Sequence, residues 1–132
     1  MNRIVARFQD GRVLKGFTND FIPAKDHFHL FADEHAAEAR PTDVQVPDLK
    51  AVFFVKTFEG DPQHHKTNET PEGATLVGRR IRVVFKDGEV IVGTTQGYDR
   101  NRPGFFVVPV DPGSNNERCF VVATAMKAVA FR

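Results

Sequence analysis

The chain of 132 residues has no tryptophan, one tyrosine, one cysteine and a single serine. Cys119, alone, can form no internal disulfide and no multi-cysteine zinc site. Ser114 sits in a turn-forming stretch with no histidine and aspartate placed to activate it. Neither standard phosphate-cradling glycine spacing is present. A non-enzymatic protein without cofactor or metal is therefore expected. The shortage of Trp and Tyr also argues against readers of Pro-rich peptides and of methylated cations, which depend on such rings. No apolar run approaches the roughly 18–20 residues that span a bilayer. The segment Met1 to Arg7 has no uninterrupted apolar stretch of the signal-peptide kind, so a cytoplasmic protein without membrane contact is expected. Charge of one sign is lacking too. Lys and Arg number 18 against 17 Asp and Glu, a net +1 that gives no global case for a polyanion.

What is present is a repeat. Shifting the chain by 77 positions aligns Arg3-Ile4 with Arg80-Ile81, Phe8 with Phe85, and Asp10-Gly11 with Asp87-Gly88. It also aligns Gly16 with Gly93, Thr18 with Thr95, Phe28 with Phe105, and Lys50-Ala51-Val52 with Lys127-Ala128-Val129. Ungapped agreement at glycines, turn aspartates and apolar positions together predicts two copies of one module. The first covers 1–56 and the second 79–132, with a polar linker at 57–78 broken by Pro and Gly. The first copy carries 8 basic and 8 acidic residues, the linker 1 and 4, and the second copy 9 and 5. The neutral total conceals a basic second half.

Within each copy the alternation predicts five short strands. They run Ile4–Phe8, Val13–Thr18, Phe28–Phe31, Asp43–Val46 and Ala51–Val55. In the second copy they run Ile81–Phe85, Val90–Thr95, Phe105–Val108, Phe120–Ala123 and Ala128–Phe131. Asp10-Gly11 and Asp87-Gly88 predict hairpins with type I′ turns. Gly16 and Gly93 recur inside the second strand, where a sharp bend is expected. Glu34 to Arg40 has helix-forming composition, whereas Asp111 to Glu117 reads as a turn. Five bent strands in so short a length predict an all-β protein of two tandem five-stranded small barrels.

The pattern apolar-x-apolar-x-Phe-x-Asp-Gly-x-apolar-apolar-x-Gly, followed by an apolar third strand, resembles the first motif of Sm-like barrels within the SH3-like group. Pro103 to Phe106 and Asn115 to Arg118 are similar to segments of uncharacterised bacterial domains. The second Sm motif has no recognisable counterpart. The resemblance implies a barrel fold and RNA-contacting loops near Asp99 to Arg102 and Ala125 to Lys127. On that basis Arg100, Asn101, Arg102 and Lys127 are phosphate contacts, with Tyr98 or Phe105 stacking a base.

Arg80, Arg82 and Lys86 fall on one strand face by alternation, either as a solvated face or as a phosphate site. His27 and His29 share a face, but no acidic or cysteine partner stands at zinc spacing. The 13 Phe are more than two small cores need. Adjacent aromatics point to opposite faces, so Phe31, Phe53 and Phe106 are expected outside a single barrel's core, in an interface. The two barrels packing on each other is the first expectation and homodimerisation the next. The functional expectation is a binding or scaffold module for a protein partner. Its alternative is RNA or single-stranded nucleic acid bound through the basic second copy, with no small-molecule substrate.

Overall fold

The computed structural model describes residues 1–33, 40–60 and 77–131, and it is all-β. The first half contributes β1 (Asn2–Phe8), β2 (Val13–Thr18), β3 (His27–Leu30), β4 (Thr42–Gln45) and β5 (Leu49–Val55). The second contributes β6 (Arg79–Phe85), β7 (Val90–Thr95), β8 (Gly104–Pro109), β9 (Asn116–Val122) and β10 (Met126–Phe131). A 3-10 turn precedes the last strand of each half, at Val46–Asp48 and Ala123–Ala125. The bounds of β1 and β6, of β2 and β7, and of the two 3-10 turns differ by the same 77 positions as the sequence matches. The helix-forming stretch at 34–39 lies outside the described residues.

Both Asp-Gly turns close hairpins, but not as type I′ turns. Among the described residues none other than glycine has positive φ, and in these turns Gly11 (95°) and Gly88 (93°) are left-handed. Gly11 N–H donates to Phe8 C=O at 3.1 Å and Phe8 N–H to Arg12 C=O at 2.9 Å, with the same pattern from Phe85 to Glu89. This is a three-residue loop ending in a left-handed glycine bulge. The aspartates keep negative φ and use their carboxylates instead. Asp10 accepts from Arg12 N–H (3.0 Å) and Asp87 from Glu89 N–H (2.9 Å). The inner glycines mark close crossings. A Cβ on Gly16 would lie 2.5 Å from Phe31 O, and one on Gly93 2.2 Å from Val108 O. No side chain fits where the third strand of each half passes over the second.

The ladders form an open eight-stranded sheet, ordered β10-β6-β7-β8-β9-β5-β1-β2, and a separate β3-β4 hairpin. An isolated bridge between Phe17 and Phe31 links that hairpin to β2. Among the described residues no closed barrel forms, because the last strand of the first half pairs with β9 rather than with its own β4. β9 is longer than the sequence suggests, since Asn116 already pairs with Val55.

This junction explains the surplus phenylalanines. β5 and β9 each have a neighbour on both edges and a core on both faces, so both read as nearly continuous apolar runs. Phe53, Val55, Phe105, Cys119 and Val121 join one buried cluster, together with Ile81, Val83 and Phe85. Phe54, Phe120 and Val122 join the other, with Ile4, Phe28 and Leu49, and Phe106 packs against it. Each cluster therefore draws on both halves of the chain. Cys119 is 1% exposed, in the middle of the sheet.

The outer ends differ in chemistry from this junction. Counting 77 positions on, Phe53 is replaced by Ala130 and Val5 by Arg82, both exposed. On β4, Thr42 and Asp43 stand where β9 has Cys119 and Phe120. At these equivalent positions the strands that meet carry aromatic or aliphatic residues, and their outer counterparts carry small, polar or charged ones, which suits a surface that faces water.

Candidate functional site: a cleft between the halves

The loop between β2 and β3 is drawn toward the second half by one aromatic side chain. Phe21 makes edge-to-face contacts with Phe28 and Phe54 of its own half and with Phe106 and Phe120 across the junction. The centroid separations are 5.0–6.1 Å, within the favourable range for such pairs. Beside this anchor, Pro23 forms one wall of a cleft of about 600 Å³. β7 and its end supply Thr94, Thr95 and Gln96, and β8 supplies Gly104, Phe106 and Val108. Arg102 comes from the β7–β8 loop, and Arg118 with Phe120 from β9.

The opening arises where β7 and β8 part. Their ladder holds only at Gly93–Pro109 and Thr94–Val108. Beyond it, the Thr95 hydroxyl donates to Phe106 C=O at 2.7 Å, replacing a ladder bond with a side chain. The floor is apolar, and Val108 is 50% exposed on it.

Two guanidinium groups stand at this cleft. Arg118 lies 4.2 Å from the Phe54 ring centroid and 4.6 Å from that of Phe106. Among the described residues no carboxylate pairs with it. Arg102 is two-thirds exposed and meets Asp99 only at 3.6 Å. Asp99 is itself engaged by the loop, accepting from Asn101 N–H at 2.9 Å.

The residues singled out in the sequence are only partly gathered here. Arg102 lines the cleft, and Arg100 and Asn101 are exposed on the same loop. Tyr98 is half-buried, its ring edge-on to Phe105 and Phe131 at 4.9 and 5.0 Å. Phe105 is 3% exposed, so its faces are taken up in the core rather than open to a base. Arg80 and Arg82 lie on the outer face of β6, opposite Thr94 and Val92 of β7. Lys86 and Lys127 flank the second 3-10 turn, where Lys86 N–H donates to Ala125 C=O. Phe53 and Phe106 lie at the junction between the halves, whereas half-buried Phe31 sits at the β2–β3 bridge.

Several contributors have no sequence signature. Arg118 is conspicuous only once Phe54 and Phe106 are beside it. Lys50 reaches across the junction to Asp87 (2.7 Å) and Glu89 with its ammonium 4.7 Å over Phe85. Burial disfavours the charge on Lys50, but the two carboxylates outweigh this and raise its pKa. The Gln9 amide bonds Thr124 Oγ1 at 3.1 Å. Asn115 accepts from Thr57 N–H (3.1 Å) and donates to Thr57 C=O (2.7 Å), fixing the start of the linker. The doublets Phe53-Phe54 and Phe105-Phe106 were the available signal for this junction.

His29 and Asp20 form a pair at 2.6 Å, with His29 N–H donating to the same carboxylate at 2.9 Å. Burial works against the Asp20 charge, yet these bonds and one from Thr18 lower its pKa. His27 bonds Asp26 at 2.9 Å, which raises its pKa. Among the described residues no group of three or more His, Cys, Asp or Glu is placed to hold a metal ion. No helix there is long and apolar enough to cross a membrane.

A family model described as a family of unknown function (DUF6982) matches residues 1–131. The chain belongs to that family. The DUF6982 match runs across both halves and therefore across the cleft between them. No curated protein and no solved structure matches the chain.

Proposed function

We propose that this member of DUF6982 is a non-catalytic module that binds a protein partner in the cleft between its halves. The observation that carries this reading is a cleft of about 600 Å³ with an apolar, partly exposed floor. Aromatic and aliphatic floors edged by arginine are the composition that protein interfaces favour. We also read the two halves as strongly bent, Sm-like tandem barrels opened toward one another. The recurrence at 77 positions of β1 and β2 as β6 and β7, and of the two 3-10 turns, supports this, as does the order β10-β6-β7-β8-β9.

The test is selection of random peptides displayed against the whole chain. Enriched peptides whose binding is lost with Val108→Arg, at the exposed floor, support the reading. An RNA pool retained at low salt with no peptide enriched would favour nucleic acid bound by the basic second half. That second reading draws on Arg80, Arg82, Lys86, Arg100, Asn101, Arg102 and Lys127.

A further inference from the structure

We infer that the segment taken by this cleft is acidic as well as apolar, its carboxylates meeting Arg118 and Arg102 at separate points of the rim. This rests on the protein-binding reading above and adds the chemistry of the partner.

Arg118 is the first reason. Its guanidinium carbon lies over both the Phe54 and the Phe106 ring, which restrains a long side chain. No described carboxylate meets its N–H groups, which leaves them for a partner's carboxylate. A guanidinium held in place loses less freedom on pairing than one on a free chain, which favours binding. The second reason is Arg102, on the other element that borders the same space and only loosely met by Asp99. Two cations bordering an apolar floor are complementary to a segment that combines Asp or Glu with Val, Leu or Phe.

A nucleic acid strand fits less well. It needs open ring faces, and Phe106 is already covered by Arg118 while Tyr98 and Phe105 pack together. Asp99, 3.6 Å from Arg102, opposes a chain with a phosphate at every residue but tolerates a peptide with one or two well-spaced acids.

The probes are three fluorescent 12-mers, read by anisotropy with the full chain at low and moderate salt. One peptide alternates Glu with Leu and Val, the second replaces each Glu by Gln, and the third is oligouridylate. The inference expects the Glu peptide to bind at least about tenfold tighter than its Gln counterpart, less so as salt rises. Arg118→Gln is expected to remove about tenfold of that affinity, with Arg118→Lys recovering part. Because Arg118 also packs on two rings, Arg102→Gln, on an exposed side chain, gives a second reading with no loss of packing. Equal binding of Glu and Gln peptides overturns the acidic inference and leaves the protein-binding reading standing. Binding of oligouridylate alone, or of no probe at millimolar protein, overturns both.

Discussion

Replacing Phe53 by alanine tests whether the junction between the halves carries the fold's stability. Phe53 is 5% exposed, lies opposite Cys119 across the β5–β9 ladder, and has Arg7 within 5.9 Å of its ring centroid. Truncating a phenylalanine so buried costs about 3–5 kcal/mol, transfer and cavity together. A domain of this length has a total stability of about 7–20 kcal/mol. The variant should therefore unfold at clearly lower urea while keeping one transition, because both clusters depend on the same two strands. Its counterpart is Ala130→Phe at the repeat-equivalent, exposed position of β10. That change should stay within about 0.5 kcal/mol. Urea unfolding followed by far-UV circular dichroism measures both. A loss below about 1 kcal/mol for Phe53→Ala, or equal effects at the two positions, would refute the claim that the halves stand or fall together.

Other outcomes follow from single contacts. Gly93→Ala places a methyl 2.2 Å from Val108 O and should cost about 1–3 kcal/mol by thermal unfolding. Gly11→Ala meets no atom within 4 Å but keeps a φ of 95°, and should cost about 1–2 kcal/mol. Asp20 and Asp87 both have pKa values lowered from 3.8. Their stabilisation is present above the unfolded value of about 3.9 and is lost as pH falls through the lower folded values. Urea midpoints should drop on acidification across that range, and less steeply in Asp87→Asn. Buried Cys119 should resist thiol reagents until β5 and β9 separate, and faster labelling in Phe53→Ala would report that opening.

The strand at Ile81 to Phe85 was legible because it alternates between core and water, whereas at Ile4 to Phe8 only Arg7 is exposed, since Val5 is buried in the cluster of Ile81 and Val83. Gly16 and Gly93 were legible as bends, since a recurring glycine inside a strand implies that a side chain is excluded. The turn chemistry was not, because Asp-Gly serves both a type I′ turn and a left-handed bulge. Phe53-Phe54 announced that one core would not suffice, but its partner β9 is more than sixty residues away in sequence. The polar start of that partner, Asn116-Glu117-Arg118, hides its strand character. Arg118 was missed for the same reason. Its two stacking rings come from β5 and β8, and only the folded sheet brings them beside it.

Entry of a partner between the halves, beside Arg118, is tested most directly by titrating the nitrogen-15-labelled chain with the alternating Glu peptide and following amide shifts in two-dimensional NMR. The expected changes cluster at Thr94 to Gln96, Arg102 to Val108, Arg118 and the loop around Pro23. Changes concentrated instead on β6 and β10, at Arg80, Arg82 and Lys127, would contradict it.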